Sequence, residues 1–137
     1  MFALTVKGGM ATFLAPDVCK VPSPAGPVPM PLPNMFQLNQ ADPSTASQKV
    51  LIDGAQGLTA QSKVPMSQGD EAGTAGGVVS GKFIGPGTFS PATASLKVFL
   101  EGKRAVSQGA MTFHNGDALF NTTGSCPMGA QVKVIAN

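Results

Sequence analysis

Lys49-Val50-Leu51-Ile52-Asp53-Gly54 returns, at an offset of 48 residues, as Lys97-Val98-Phe99-Leu100-Glu101-Gly102. Both stretches read as a strand running into an acidic-Gly turn, because such dipeptides tolerate the positive φ that a tight hairpin demands. The likeness continues past the turn: Leu58-Thr59-Ala60-Gln61-Ser62 aligns with Ala105-Val106-Ser107-Gln108-Gly109 at an offset of 47, which makes the first turn one residue longer. Each copy is therefore a β-hairpin. Lys133-Val134-Ile135-Ala136-Asn137 is a third, truncated echo that stops where the turn should begin. Three related strands in one small chain suggest hairpins layered with pseudo-threefold symmetry around a common axis. Chance resemblance among ordinary strands is the alternative.

The rest of the chain agrees with a mainly β fold with little helix. Its 137 residues fit one domain, residues 1–137, with a modest core. The 17 Gly and 12 Pro disfavour long helices. A hydrophobic content of 42% against 12% charged residues is too apolar for a disordered segment. From Pro16 to Pro33 the sequence is dense in proline, and Pro27-Val28-Pro29-Met30-Pro31-Leu32-Pro33 sets apolar side chains between prolines. Each proline fixes φ and removes a donor, so the stretch reads as an extended, stiff strap packed on the domain, with a linker as the alternative. The Gly-rich run from Ser67 to Lys82 reads as tight loop leading into a strand at Lys82-Phe83-Ile84.

Charge and motifs exclude several functions. A net charge of +2 with no Lys/Arg cluster gives no surface that would track a phosphate backbone, so nucleic acid is not an expected partner. No apolar run reaches the ~18 residues that a membrane-spanning helix requires. The first 15 residues carry one lysine and a Gly8-Gly9 break, a poor secretory signal, and cytosolic synthesis is expected. Gly76 to Lys82 begins like a phosphate-binding loop but continues into Phe83-Ile84-Gly85-Pro86-Gly87, without the hydroxyl residue or the helix that motif needs.

Cys19, His114 and Cys126 are the residues whose chemistry stands out. Thiolate and imidazole together favour tetrahedral Zn²⁺, although the three lack the close paired spacing of a zinc motif. The bland alternative is a buried Cys19, a solvent-facing His114 in a turn and an incidental Cys126. A cysteine nucleophile with His114 as base and Asp117 as its orienting partner ranks last, since no local signature accompanies it.

Four segments, taken in order, resemble a known family: Ala15-Pro16-Asp17-Val18-Cys19-Lys20, the Pro-Val-Pro-Met-Pro-Leu-Pro-Asn run of residues 27–34, Gly69-Asp70-Glu71-Ala72-Gly73-Thr74-Ala75-Gly76-Gly77, and Val98-Phe99-Leu100-Glu101-Gly102-Lys103. They are similar to the PAAR-like domains of bacterial type VI secretion, from about Ala15 to Asn121. The resemblance implies a small β-rich cone of hairpins that is not an enzyme. It caps and sharpens the trimeric VgrG spike as one monomer on a trimer, adapts effectors for delivery, and leaves the bacterial cytoplasm with the spike, without stable membrane insertion. Longer relatives carry an enzymatic C-terminal extension; here effectors or their chaperones are expected to bind non-covalently. The resemblance also implies a zinc near the apex held by His and Cys, with Cys19 in the cysteine position and His114 as a second ligand. Val106-Ser107-Gln108-Gly109 stands where relatives place a histidine, so Cys126 becomes the replacement ligand or the site is empty. A free-standing metal- or ligand-binding β-domain is the competing reading.

Overall fold

In the computed structural model, which describes residues 2–14, 16–116, 120–129, 131 and 133–136, the two repeated stretches form matching hairpins. Twelve strands run along the chain: β1 (Gly9–Phe13), β2 (Asp17–Val21), β3 (Val28–Leu32), β4 (Met35–Gln37), β5 (Leu51–Ile52), β6 (Ala55–Gln56), β7 (Lys63–Val64), β8 (Gly87–Phe89), β9 (Phe99–Leu100), β10 (Lys103–Arg104), β11 (Ala110–His114) and β12 (Thr122–Gly129). Two short 3₁₀ turns, Leu38–Gln40 and Pro91–Thr93, are the helical elements among the described residues. The protein is mainly β, as its Gly and Pro content requires.

Hairpins β5–β6 and β9–β10 turn through Asp53-Gly54 and Glu101-Gly102, with φ of 53° and 81° in the first and 53° and 82° in the second. Two consecutive positive φ values are the mark of a two-residue hairpin turn whose twist matches its strands. The turns are equal in length, so the expected 47-residue offset beyond them is corrected to 48. The shared glutamine of Gln61 and Gln108 draws the sequence alignment one residue out of step. The repeat also extends both ways at the same offset. Asp42 N–H donates to Lys63 O at 2.8 Å as Ser90 N–H does to Met111 O at 2.9 Å. Lys63 N–H donates to Thr45 Oγ1 as Met111 N–H does to Thr93 Oγ1, both at 3.0 Å.

The truncated third copy is completed from the other end of the chain. Phe2 bridges Ile135, and Ala3 N–H donates to Val134 O at 3.0 Å, as Ala105 N–H does to Val98 O. Leu4, Leu58 and Val106 then form a closed ring of backbone hydrogen bonds: Leu4 N–H to Val106 O at 3.0 Å, Val106 N–H to Leu58 O at 3.2 Å and Leu58 N–H to Leu4 O at 3.0 Å. A second ring runs Val6 to Gln56, Ala60 to Arg104 and Gln108 to Phe2. Pseudo-threefold order is thus written into the backbone bonding. Ile52, Leu100 and Ala136 occupy equivalent buried positions and form one cluster with Ala3 and Ala105.

Above this base stands one antiparallel sheet in the order β4-β1-β12-β11-β8-β7. Met35 and Gln68 exchange both backbone bonds, at 2.7 and 2.8 Å, and so bring its two edges together into a nearly closed barrel. Closing a sheet removes the unpaired edges that invite aggregation. β4, β8 and β12 lead into the three hairpin copies, while β7, β11 and β1 lead out of them, and the two sets alternate around the barrel. The described residues of the three connections, 14 and 16–34, 65–86, and 115–116 with 120–121, therefore gather at the end opposite the hairpins. The barrel interior is filled by Leu4, Ala11, Phe36, Leu58, Val64, Phe89, Val106 and Cys126, with Phe36 and Phe89 in edge-to-face contact at 6.1 Å. Such a pair adds about 1 kcal/mol to what its burial supplies.

Two local expectations are revised. The Pro-rich strap is extended but doubles back as hairpin β2–β3: β2 turns Asp17 and Cys19 inward, whereas β3 is mostly exposed. Pro29 and Pro31 lack N–H groups, so they are tolerated on this outer strand, where Val28, Met30 and Leu32 carry the amides. Residues 82–84 form no strand. Ile84 has φ of 51°, and the extended backbone begins at Gly87.

Candidate functional site

The three connections meet in a buried polar cluster at the apex. The first supplies Asp17, Cys19 and Asn34, the second Ser67 and Asp70, and the third Asn115 and Asn121, with His114 at the end of β11 beneath them. Strand periodicity places Asp17 and Cys19 on one face of β2, with Val18 and Lys20 outward. Gly73 N–H donates to Asp70 O at 3.0 Å, which folds the Gly-rich segment into a tight turn. A Cβ on Gly73 would lie inside the Cys19 side chain, so only glycine lets this loop close down on β2.

The amides in the cluster have fixed directions. Asn115 Oδ1 accepts from Gly85 N–H at 2.7 Å and Asn121 Oδ1 from Val79 N–H at 2.8 Å. Their Nδ2 groups therefore face inward and donate to Asp17, Asn115 at 3.3 Å and Asn121 by a short contact. Asn34 Nδ2, which carries two N–H groups, lies 2.7 Å from Asp17 Oδ2, 3.0 Å from Asp70 Oδ2 and 3.1 Å from Ser67 Oγ, while its Oδ1 faces His114 Nδ1 at 2.9 Å. That arrangement puts the imidazole proton on Nδ1, leaving Nε2 to accept from Thr112 Oγ1 at 2.8 Å. Burial lowers the His114 pKa to about 4, against the opposing pull of Asp17, so the ring is neutral at pH 7.

The acidic groups behave differently. Burial, then the hydrogen bond with and the charge of Asp17, push Asp70 up to about 7. Burial, then the Asp17 charge, push the Cys19 thiol up to about 12. A thiol held in that form is a poor nucleophile at neutral pH. Asp117, the orienting residue considered for that chemistry, lies outside the described residues.

Of the three residues singled out as zinc ligands, only Cys19 enters a group with metal-binding geometry. Ligand atoms of Asp17, Cys19 and Asp70, all buried, lie within 4.8 Å of one another, and this is the one such group of three among the described residues. The set Cys19, His114 and Cys126 is not brought together in that way. Both His114 ring nitrogens are engaged by Thr112 and Asn34, and the ring packs on Phe36 at 4.8 Å rather than facing solvent. Cys126 sits lower in the barrel, in the apolar core on β12, with Met10 O 3.5 Å from its sulfur. Asp17 and Asp70 were missed because an aspartate beside proline and one in a glycine loop both read as turn residues. The Asp-x-Cys spacing on a strand was the available signal.

At the opposite end, Leu51, Phe99 and Ile135 occupy equivalent positions of the three copies and are 60%, 54% and 58% exposed, while their neighbours Ile52, Leu100 and Ala136 are buried. Acidic turn residues reach across to adjacent copies: Asp53 pairs with Lys133 at 2.9 Å, and Glu101 accepts from Lys49 N–H at 3.1 Å. The base thus presents an apolar triad tied together by polar contacts between neighbours.

Comparison with protein families gives a match to the family described as Toxin PAAR-like domain, over residues 10–123. The chain belongs to this family. The match takes in all three apex connections and the first two hairpin copies of this PAAR-like chain, while most of the third copy lies outside it. Comparisons with curated proteins and with solved structures gave no match. No helix among the described residues is long and apolar enough to cross a membrane.

Proposed function

We propose that this PAAR-like chain caps the VgrG trimer of a type VI secretion spike, with its hairpin base seated on the trimer and its apex pointing outward. The observation that carries the reading is the exposed triad Leu51, Phe99 and Ile135, set on a closed threefold ring of backbone bonds. A single chain can satisfy three identical subunits only if it offers three equivalent contacts, and an internal threefold repeat does that without oligomerising. Burial of three large apolar side chains would supply association energy that the solvent-exposed base forgoes in the free chain.

The same reading leaves the outward surface for cargo. Val78, Val79 and Phe83 are exposed on the connection at the apex, where an effector or its chaperone would bind non-covalently. Delivery with the spike, rather than catalysis, is the task this arrangement serves.

Native mass spectrometry of the chain co-expressed with VgrG from the same genome tests the proposal. One chain per trimer is expected, and the combined variant Leu51→Asp, Phe99→Asp, Ile135→Asp should remain folded and fail to associate. Lack of association by the wild-type chain, or retained association by the folded triple variant, would overturn it.

A further inference from the structure

We propose that the hairpin base recognises an acidic threefold surface, on which each chain of the capped trimer sets one aspartate or glutamate side chain beside the pocket that takes Leu51, Phe99 or Ile135. This inference rests on the capping reading and adds the chemistry of the partner's face.

Charge is divided unevenly between the two ends of the molecule. Lys7, Lys49, Lys97, Lys103, Arg104 and Lys133 lie in the three hairpin copies or pair with them, and the acidic residues there are Asp53 and Glu101. Six cations against two anions leave this layer at +4, while the whole chain carries +2, so the rest of the chain is net acidic at −2. A protein with poles of opposite sign is turned by a partner's field before contact, and an acidic partner draws the base towards it.

The lysines share the threefold order of the apolar triad. Lys49, Lys97 and Lys133 each stand two residues before the exposed apolar residue of their copy, and all three are themselves exposed. Lys-Val is common to all three copies, although the apolar residue that follows varies from Leu to Phe to Ile. No packing inside the chain requires lysine at an exposed position, so a contact outside the chain accounts for its recurrence.

Most of these cations have no partner of their own. Both carboxylate oxygens of Glu101 are taken by backbone N–H groups, those of Gln48 and Lys49. Asp53 pairs with Lys7 at 3.3 Å and with Lys133 at 2.9 Å. Among the described residues no carboxylate pairs with the amino group of Lys49, Lys97 or Lys103. The Lys133 side chain is 73% exposed, and a surface pair of that kind is readily exchanged for one with a partner.

The two sets of residues divide the work. The apolar triad supplies the burial that holds the complex, whereas exposed rim charges speed the encounter and reject wrong surfaces. Lysines beside each apolar anchor also restrict rotation, since they meet three carboxylates only at angles 120° apart. An anionic membrane would attract the same lysines, but it offers neither three discrete pockets nor a rotational register, so it makes no use of the equivalence of the copies.

The test uses the full chain and the VgrG trimer from the same genome, with association followed by interferometry in about 50 and 500 mM NaCl, a range that screens exposed charges. The association rate of the wild type is expected to fall about tenfold or more at the higher salt. The folded variant Lys49→Gln, Lys97→Gln, Lys133→Gln should bind about tenfold more slowly than wild type at low salt and lose most of the salt dependence. Glu at the same three positions should abolish capture, and Lys20→Gln, Lys82→Gln, which removes cations from the apex connections, should behave as wild type. If the triple variant fails to fold, Lys49→Gln, Lys97→Gln, which breaks no ion pair, replaces it. Association that responds neither to salt nor to the folded lysine variants would overturn this inference and leave the capping reading standing. Absence of wild-type binding at both salt concentrations would overturn both. Wild-type binding to phosphatidylglycerol vesicles but not to the trimer, lost in the lysine variants, would also overturn both and assign the base to a membrane.

Discussion

The backbone N–H of Leu58 donates to the carbonyl of Leu4 at 3.0 Å, joining the segment that follows β6 in the first hairpin copy to one at the start of the chain. That bond makes the N-terminal segment a structural third of the base. Leu4 and Leu58 are both fully buried in the same core and should respond alike to truncation. Leu4→Ala and Leu58→Ala are each expected to cost about 2–5 kcal/mol, the range for removing a buried leucine side chain. Urea unfolding followed by circular dichroism measures both. A Leu4→Ala cost of a few tenths of a kcal/mol beside a large one for Leu58→Ala would show that the ring is not closed in solution.

Gly57 breaks the threefold pattern for a steric reason. Its counterparts are Ala3 and Ala105, yet a Cβ at 57 would lie 2.5 Å from Leu100 Cδ1 and 3.0 Å from Ile52 Cδ1. Two copies place large side chains on the axis and the third places Ala136, so one neighbouring position has to yield the space. Gly57→Ala is therefore expected to destabilise by about 1–3 kcal/mol, the cost of overpacking, although it restores the consensus of the repeat. Leu100→Val should recover part of that loss in the double variant. Additive costs in the double-mutant cycle would exclude the contact as the cause.

Gly87 presents a harder constraint. A Cβ there would overlap the Phe36 ring atoms Cδ1 and Cε1, and the ring is held by Phe89 on one side and His114 on another. A buried aromatic ring has no flexible end to swing aside, so Gly87→Ala should cost more than Gly57→Ala, in the region of 3 kcal/mol. Comparing the two denaturation midpoints decides the order. Equal or reversed costs would mean that the barrel wall, not the ring, moves.

How much of this was readable in advance depends on where along the chain each signal lay. Asp53-Gly54 and Glu101-Gly102 announce their hairpins because positive φ at both turn positions restricts residue choice. The third copy was half visible: its second half, at Phe2 and Ala3, lies at the other end of the chain and meets Val134 and Ile135 by direct backbone pairing. Pro43-Ser44-Thr45-Ala46-Ser47 and Pro91-Ala92-Thr93-Ala94-Ser95 extend the repeat upstream, a likeness overshadowed by the hairpins. At the apex Cys19 was legible from its motif, but Asp70 reaches it through loop closure at Gly73, which no local pattern encodes. His114 stands out in the sequence only by residue type, and its partners in the fold, Thr112 and Asn34, are two and 80 residues away.

His114 supplies a pH dependence with a definite sign. Its folded pKa is lowered to about 4 by burial, with Asp17 the charged group that opposes the shift, while an unfolded histidine titrates near 6.5. Between those values the unfolded chain binds more protons than the folded one, so stability rises with pH across the window. The His114 contribution is thus fully present above pH 6.5 and is lost as pH falls toward 4, by about 3 kcal/mol at the lower end. Asp70, whose folded pKa is raised, acts in the opposite direction over an overlapping range, so the total profile alone does not isolate either group. The difference between wild type and His114→Gln does. The wild type should lose its advantage over the variant progressively from pH 6.5 to 4, because glutamine keeps the packing and takes no proton. Parallel stability curves for the two proteins across that window would mean that the folded imidazole takes up its proton as readily as the unfolded one; Nε2 would then donate to Thr112 Oγ1, reversing that bond, while Nδ1 would still donate to Asn34 Oδ1.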